Sequence, residues 1–135
     1  MNSVKGGCFC GAVRFAAPTP SLWVAHCHCS MCRRAHAAAL VTWIGFREEV
    51  VELQDAEAQL RWHASSPGAE RGFCGRCGSP MLFRSQRWPG ELHIARALCE
   101  SGVDREPQVH VFWDSHVSWL SVGDDGVGRM GDPKG

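Results

Sequence analysis

An all-β domain is what this sequence predicts, and three observations point there. Short stretches alternate β-branched or aromatic residues with small or charged ones, as in Val13-Arg14-Phe15, Leu40-Val41-Thr42-Trp43-Ile44 and Val109-His110-Val111-Phe112-Trp113, and such residues fit a pleated, half-buried surface. Gly and Pro punctuate them at spacings too short for long helices. Seven of the eight cysteines fall into three groups, Cys8-x-Cys10, Cys27-x-Cys29-x-x-Cys32 and Cys74-x-x-Cys77, and short segments carrying clustered soft ligands suit a tetrahedral thiophilic ion.

The elements follow in order. Cys8 and Cys10 share one face of an extended segment whose flanking glycines let the backbone turn tightly. Val13 to Phe15 has the period of a half-buried strand, and Pro18-Thr19-Pro20-Ser21 is a loop, because two prolines remove two donors from any ladder. Leu22 to Ala25 is a second strand, running into His26-Cys27-His28-Cys29-Ser30-Met31-Cys32. If Cys27 to Cys29 is extended, both sulfurs point one way while His26 and His28 point the other. Cys32 then joins them through a tight turn. Ser30 is the expected N-cap of a short helix over Met31 to Ala37, with its positive end toward the thiolates. Leu40 to Ile44 is the next strand. The acidic middle of Glu48 to Leu60 has helical propensity, yet Leu60-Arg61-Trp62-His63 alternates, and short strands joined by turns are preferred there.

Ser65-Ser66-Pro67-Gly68 is a turn leading to Phe73-Cys74-Gly75-Arg76-Cys77-Gly78, a knuckle whose glycines permit a left-handed backbone and amide groups aimed at thiolates. Met81 to Arg84, Leu92 to Ala95 and Val109 to Trp113 are strands, with a loop at Arg105-Glu106-Pro107. Beyond Leu120 the composition shifts to Gly and Asp, so residues 1–122 are read as one domain and 123–135 as a mobile tail. Most of the six tryptophans are expected in the core.

Charge and composition exclude some functions. Lys plus Arg equals Asp plus Glu, 14 each, which leaves no broad positive surface for a phosphate backbone and disfavours nucleic acid as a partner. No apolar run approaches signal-peptide or membrane-spanning length, so the expected location is cytoplasmic, with no membrane partner. In a reducing compartment clustered thiols are metal ligands rather than a disulfide framework. The simplest partition places Cys8, Cys10, Cys74 and Cys77 on a closed structural zinc and leaves Cys27, Cys29 and Cys32 on a second zinc with an open corner, where zinc does chemistry. The rival partition recruits Cys99 to close the second site; a lone cysteine is otherwise a small buried hydrophobe.

Gly7-Cys8-x-Cys10-Gly11-x-Val13-x-Phe15, His26-Cys27-His28-Cys29-x-x-Cys32-Arg33-Arg34, Ser65-Ser66-Pro67-Gly68 and Phe73-Cys74-x-x-Cys77-Gly78 resemble the glutathione-dependent formaldehyde-activating enzyme family, which includes centromere protein V. The resemblance runs from about Gly6 to Trp119 and implies a β-tent of small antiparallel sheets around two zincs. It also implies the same sharing of thiols, with Cys27, Cys29 and Cys32 on the catalytic ion. The chain departs from the family pattern at Ala37, where Gly is more usual, and at Ser118, where Pro is. The expected activity is that of a carbon-sulfur lyase, adding a glutathione-like thiol to a small aldehyde such as formaldehyde, with Arg33, Arg34 and His36 as candidate substrate contacts. His26 and His28 are expected to pack rather than ligate. Two other readings stay open, an interaction module with two structural zincs and a redox or metal-buffering cluster whose second ion is loosely held.

Overall fold

The computed structural model describes residues 2–135. It is mainly β, with one short α-helix. Strand β1 (Ser3–Gly7), not foreseen from the sequence, pairs antiparallel with β2 (Arg14–Pro18). Next come β3 (Trp23–Cys27), α1 (Ser30–His36) and β4 (Val41–Arg47). The ambiguous stretch after it resolves into a 3-10 turn at Glu48–Val50, β5 (Glu52–Gln54) and the start of β6 (Leu60–Ser66). Strands β7 (Ala69–Cys74), β8 (Pro80–Ser85), β9 (Glu91–Ala95), β10 (Val109–Val111) and β11 (Gly128–Arg129) complete the chain.

Two sheets result. One has three strands in the order β1-β2-β5, and the other has eight in the order β11-β10-β3-β4-β9-β8-β7-β6. Most pairings are antiparallel, but β10 runs parallel to both β3 and β11. Strand β10 is shorter than its apolar run because Phe112 takes a left-handed backbone with φ of 54°, which ends the ladder before Trp113.

Alternation along β3, β4 and β9 divides the interior in two. Val24, Ile44, Phe46, Leu92 and Ile94 face the small sheet and pack with Val4, Val13 and Phe15 in one core. Ala25, Cys27, Trp43 and Ala95 point through the other face into a second, smaller core. The large sheet therefore has the four-cysteine group on the side of its main core and the three-cysteine group on the other.

The segment from Gly123 to Gly135 returns along the edge of the large sheet. Gly128 and Arg129 pair with Val109 and His110, the Arg87 guanidinium donates to Asp132 at 2.7 and 2.8 Å, and Asp125 accepts from His110 at 2.8 Å. Of the tryptophans only Trp43 is buried, at 4 % exposure, while Trp119 is 73 % exposed. This corrects the expectation of a tryptophan-filled core, since an open, bent sheet leaves large indoles at its edges and along a cleft. No helix among the described residues is long and apolar enough to cross a membrane.

Candidate metal centre and thiol cleft

Four sulfurs from two segments far apart in the chain converge. Cys8 and Cys10 follow β1, Cys74 ends β7 and Cys77 lies in the turn before β8, and their sulfurs all lie within 4.8 Å of one another. Two turns shape this group. Gly11 (φ 82°) and Gly78 (φ 79°) hold left-handed backbones one residue past Cys10 and Cys77, and the Gly11 and Gly78 amides donate to the carbonyls of Cys8 and Cys74 at 3.1 and 2.8 Å. Ser79 ties the halves together: its hydroxyl accepts from the Phe9 amide at 2.9 Å and lies 3.2 Å from Cys77 Sγ. Sequence reading did not single out this serine, because its role depends on a partner 70 residues away.

The second group is built from one segment. Cys27 ends β3, Cys29 is the N-cap of α1 and Cys32 lies in its first turn, with Cys27 and Cys32 buried. Here the structure corrects the sequence expectation. The cap is Cys29, whose Sγ accepts from the Cys32 amide at 3.3 Å, and Ser30 is already helical. A sulfur at this position takes an orphan helix donor while staying beside the other two thiols. The Cys27 and Cys32 sulfurs are 3.7 Å apart, and all three lie within 4.8 Å of one another. As free thiols they share protons unequally: hydrogen bonds from Cys27 and Cys32 hold Cys29 far below the usual thiol range, and the bond to Cys29 drives Cys27 far above it.

Both groups suit a tetrahedral thiolate-bound metal, zinc included. Four sulfurs each about 2.3 Å from a zinc would be about 3.8 Å apart, against 3.6 Å for Cys8 to Cys10, 3.8 Å for Cys10 to Cys74 and 3.7 Å for Cys27 to Cys32. All eight cysteines are unbridged. Cys99 joins neither group: its backbone bridges to Gly6 and its side chain packs on the main core, where burial raises its thiol pKa.

The three-thiol group lines a cleft of about 770 Å³ walled by aromatic and apolar side chains, among them Trp23, Phe83, Trp88 and Met130. Glu91 braces one wall, accepting from Trp23 Nε1 at 3.2 Å and from His93 Nε2 at 2.9 Å. Among the described residues, the guanidinium that meets the sulfurs is that of Arg71, on β7, which donates from Nη2 to Cys32 Sγ at 3.5 Å. The sequence candidates fall elsewhere. Arg33 Nε reaches the His28 carbonyl at 3.4 Å, Arg34 is exposed, and His36 stands edge-on to Trp43 with 5.1 Å between centroids; none of the three lines the cleft. Arg71 escaped notice because nothing in its local sequence marks it, and only the fold of β6, β7 and β8 carries it to Cys32.

His26 and His28 point away from the sulfurs, as β-alternation requires. His28 Nε2 lies 2.8 Å from His110 Nδ1, and His110 Nε2 lies 2.8 Å from Asp125 Oδ2, so a buried imidazole pair links the cysteine segment to the tail. His26 Nδ1 bonds Thr42 Oγ1 at 2.7 Å.

The fold is a two-sheet β domain with one four-thiol and one three-thiol group, each of which could hold a metal ion, the second opening on a cleft. Residues 3–115 match the profile of the glutathione-dependent formaldehyde-activating enzymes, and the chain belongs to that family. A protein of Halomonas elongata named for the same activity is 30% identical over 127 residues, spanning 88% of this chain and 80% of its own. A Rhodobacter sphaeroides protein of known crystal structure shares the fold with a TM-score of 0.60 at 20% identity, over 93% of this chain and 98% of that one.

Proposed function

We propose that this protein is a zinc-dependent carbon-sulfur lyase-type enzyme that joins a glutathione-like thiol to a small aldehyde such as formaldehyde, or parts them. The observation that carries this reading is the inequality of the two sulfur groups: one is closed by four thiols, and the other offers three to a cleft large enough for a tripeptide. Family membership supports glutathione and formaldehyde as the reactants. No fourth cysteine stands near the trio, with Cys99 packed on the main core, which weighs against two closed structural sites.

In this reading Cys8, Cys10, Cys74 and Cys77 hold a structural zinc, and Cys27, Cys29 and Cys32 hold the catalytic one. A zinc held by Cys27, Cys29 and Cys32 would keep an incoming thiol deprotonated at neutral pH, where a free thiol with a pKa of about 8.5 is mostly protonated. The carbon-sulfur bond forms between that sulfur and the aldehyde carbon. The carbonyl oxygen takes a proton and becomes the hydroxyl of an S-hydroxymethyl adduct, and the reverse direction returns both. The chain's own contribution is placement: Cys29 at the helix start and Cys27 at the strand end keep the trio together, and the apolar walls limit water around the reacting pair. A setting that keeps thiols reduced, the cytoplasm, suits eight unbridged cysteines.

The test is direct. Purified zinc-loaded protein should speed the approach to equilibrium between glutathione and formaldehyde, followed by NMR. Cys29→Ser should remove that acceleration and leave the far-ultraviolet circular dichroism unchanged, Cys77→Ser should prevent folding, and Cys99→Ala should leave zinc content at two per chain. Wild-type protein with both zincs bound and no acceleration would refute the assignment.

A further inference from the structure

The cleft contains a charge that the reading above does not use. Arg71 hydrogen-bonds Cys32 Sγ through Nη2 at 3.5 Å, and its guanidinium lies over the Phe83 ring, 4.8 Å from the centroid. Its other terminal nitrogen, Nη1, is buried with no hydrogen-bond partner. An unpaired guanidinium nitrogen in an aromatic cleft is costly, and it would not persist unless an anionic neighbour offset it. No carboxylate serves, since the nearby Glu70 is engaged by Arg84 and Glu91 by Trp23 and His93. The remaining anion is sulfur. Three thiolates around a divalent ion would carry a net charge of −1, and a thiol entering as thiolate would make it −2, on sulfurs of which those of Cys27 and Cys32 belong to buried residues.

We propose that Arg71 is the counter-charge of the three-thiolate centre, a positioning residue that lets an incoming thiol bind in its ionised form. The inference rests on the function proposed above. It assigns Arg71 to the sulfur of the substrate rather than to the carboxylates of a glutathione-like body. Nη2 is held on Cys32, so the fork is aimed at the trio, and the Phe83 ring fixes its plane. Arg33 and Arg34, the residues that sequence alone marks for anion contact, lie outside the cleft.

Calorimetry on the zinc-loaded protein tests this with two thiols, glutathione and 2-mercaptoethanol, the second having no carboxylate. Titrations in buffers of different ionisation enthalpy count the protons released. Wild-type protein should release about one proton per thiol bound at pH 7. Arg71→Gln should bind both thiols at least tenfold more weakly and release fewer protons, and Arg71→Lys should recover part of the loss. Weakening confined to glutathione would make Arg71 a carboxylate anchor and overturn the proposal, as would unchanged affinity for both. If wild-type protein takes up neither thiol, the proposed function fails instead. Zinc release to a chelator then decides Arg71 by itself: loss from the trio at least fivefold faster in Arg71→Gln supports a role as counter-charge, and equal rates refute it.

Discussion

Ala37 and Phe112, both near the trio, hold left-handed backbones that L-residues rarely adopt, and at Ala37 the consequence is simple to test. Ala37 caps α1 in a left-handed conformation (φ 51°, ψ 48°), with its amide on the Arg33 carbonyl, a backbone that costs an L-residue roughly 1 to 2 kcal/mol and glycine almost nothing. A glycine at this position would therefore relieve a local cost. Ala37→Gly should raise stability by about 0.5 to 1 kcal/mol after the entropy of the freer unfolded chain is counted, read as a higher urea midpoint at constant slope. One residue earlier, burial against Trp43 lowers the His36 pKa from 6.5 to about 4. The folded state therefore binds fewer protons than the unfolded one below pH 6.5. Its contribution is complete above that pH and is lost as pH falls toward 4, by up to about 2 kcal/mol at pH 5. His36→Gln should shrink the difference in urea midpoint between pH 7 and pH 5, and an unchanged difference would refute the account.

Among the elements, β3 and β4 set the shape of the cleft. Trp23 pairs directly with Gly45, and a Cβ at position 45 would overlap the indole. The glycine lets the ring lie flat across the neighbouring strand, where Glu91 holds its Nε1 and His93 meets it edge-on at 4.6 Å. Gly45→Ala should push the indole into the cleft and cost about 1 to 3 kcal/mol, as overpacking does. Tryptophan emission and the urea midpoint would report it, with weaker thiol uptake as the functional sign. The sequence makes a helix legible over Met31 to Ala37, but the observed α1 starts one residue earlier, at Ser30. Ser is a favoured cap, and what moved the cap to Cys29 is the demand that its sulfur stay beside Cys27 and Cys32.

Across the whole molecule the two thiol groups are expected to play different parts. The four-thiol group joins the Cys8-Cys10 turn to the Cys74-Cys77 knuckle and sits against the main core. A zinc there can contribute about 10 to 16 kcal/mol of apparent binding energy, as much as a small domain's total stability. Mild chelation should empty the trio with little change in far-ultraviolet circular dichroism, while exhaustive chelation should unfold the chain. One cooperative loss of both metals and the fold together would show that the groups are not separable.

The sequence alone determined the mainly β class, the strand on either side of the Cys27 cluster and the direction in which its histidines point, because alternation and cysteine spacing are local properties carried by neighbouring residues. It also made Cys8, Cys10, Cys74 and Cys77 the simplest four-thiol set, and the fold brings their sulfurs within 4.8 Å of one another. Only the tertiary structure decided the rest. Arg71 against Cys32, Glu91 under Trp23, and Asp125 reaching His110 from the tail are contacts between strands far apart in the chain. Their registers are set by which faces of two sheets can be buried together, and no short window of sequence encodes that choice.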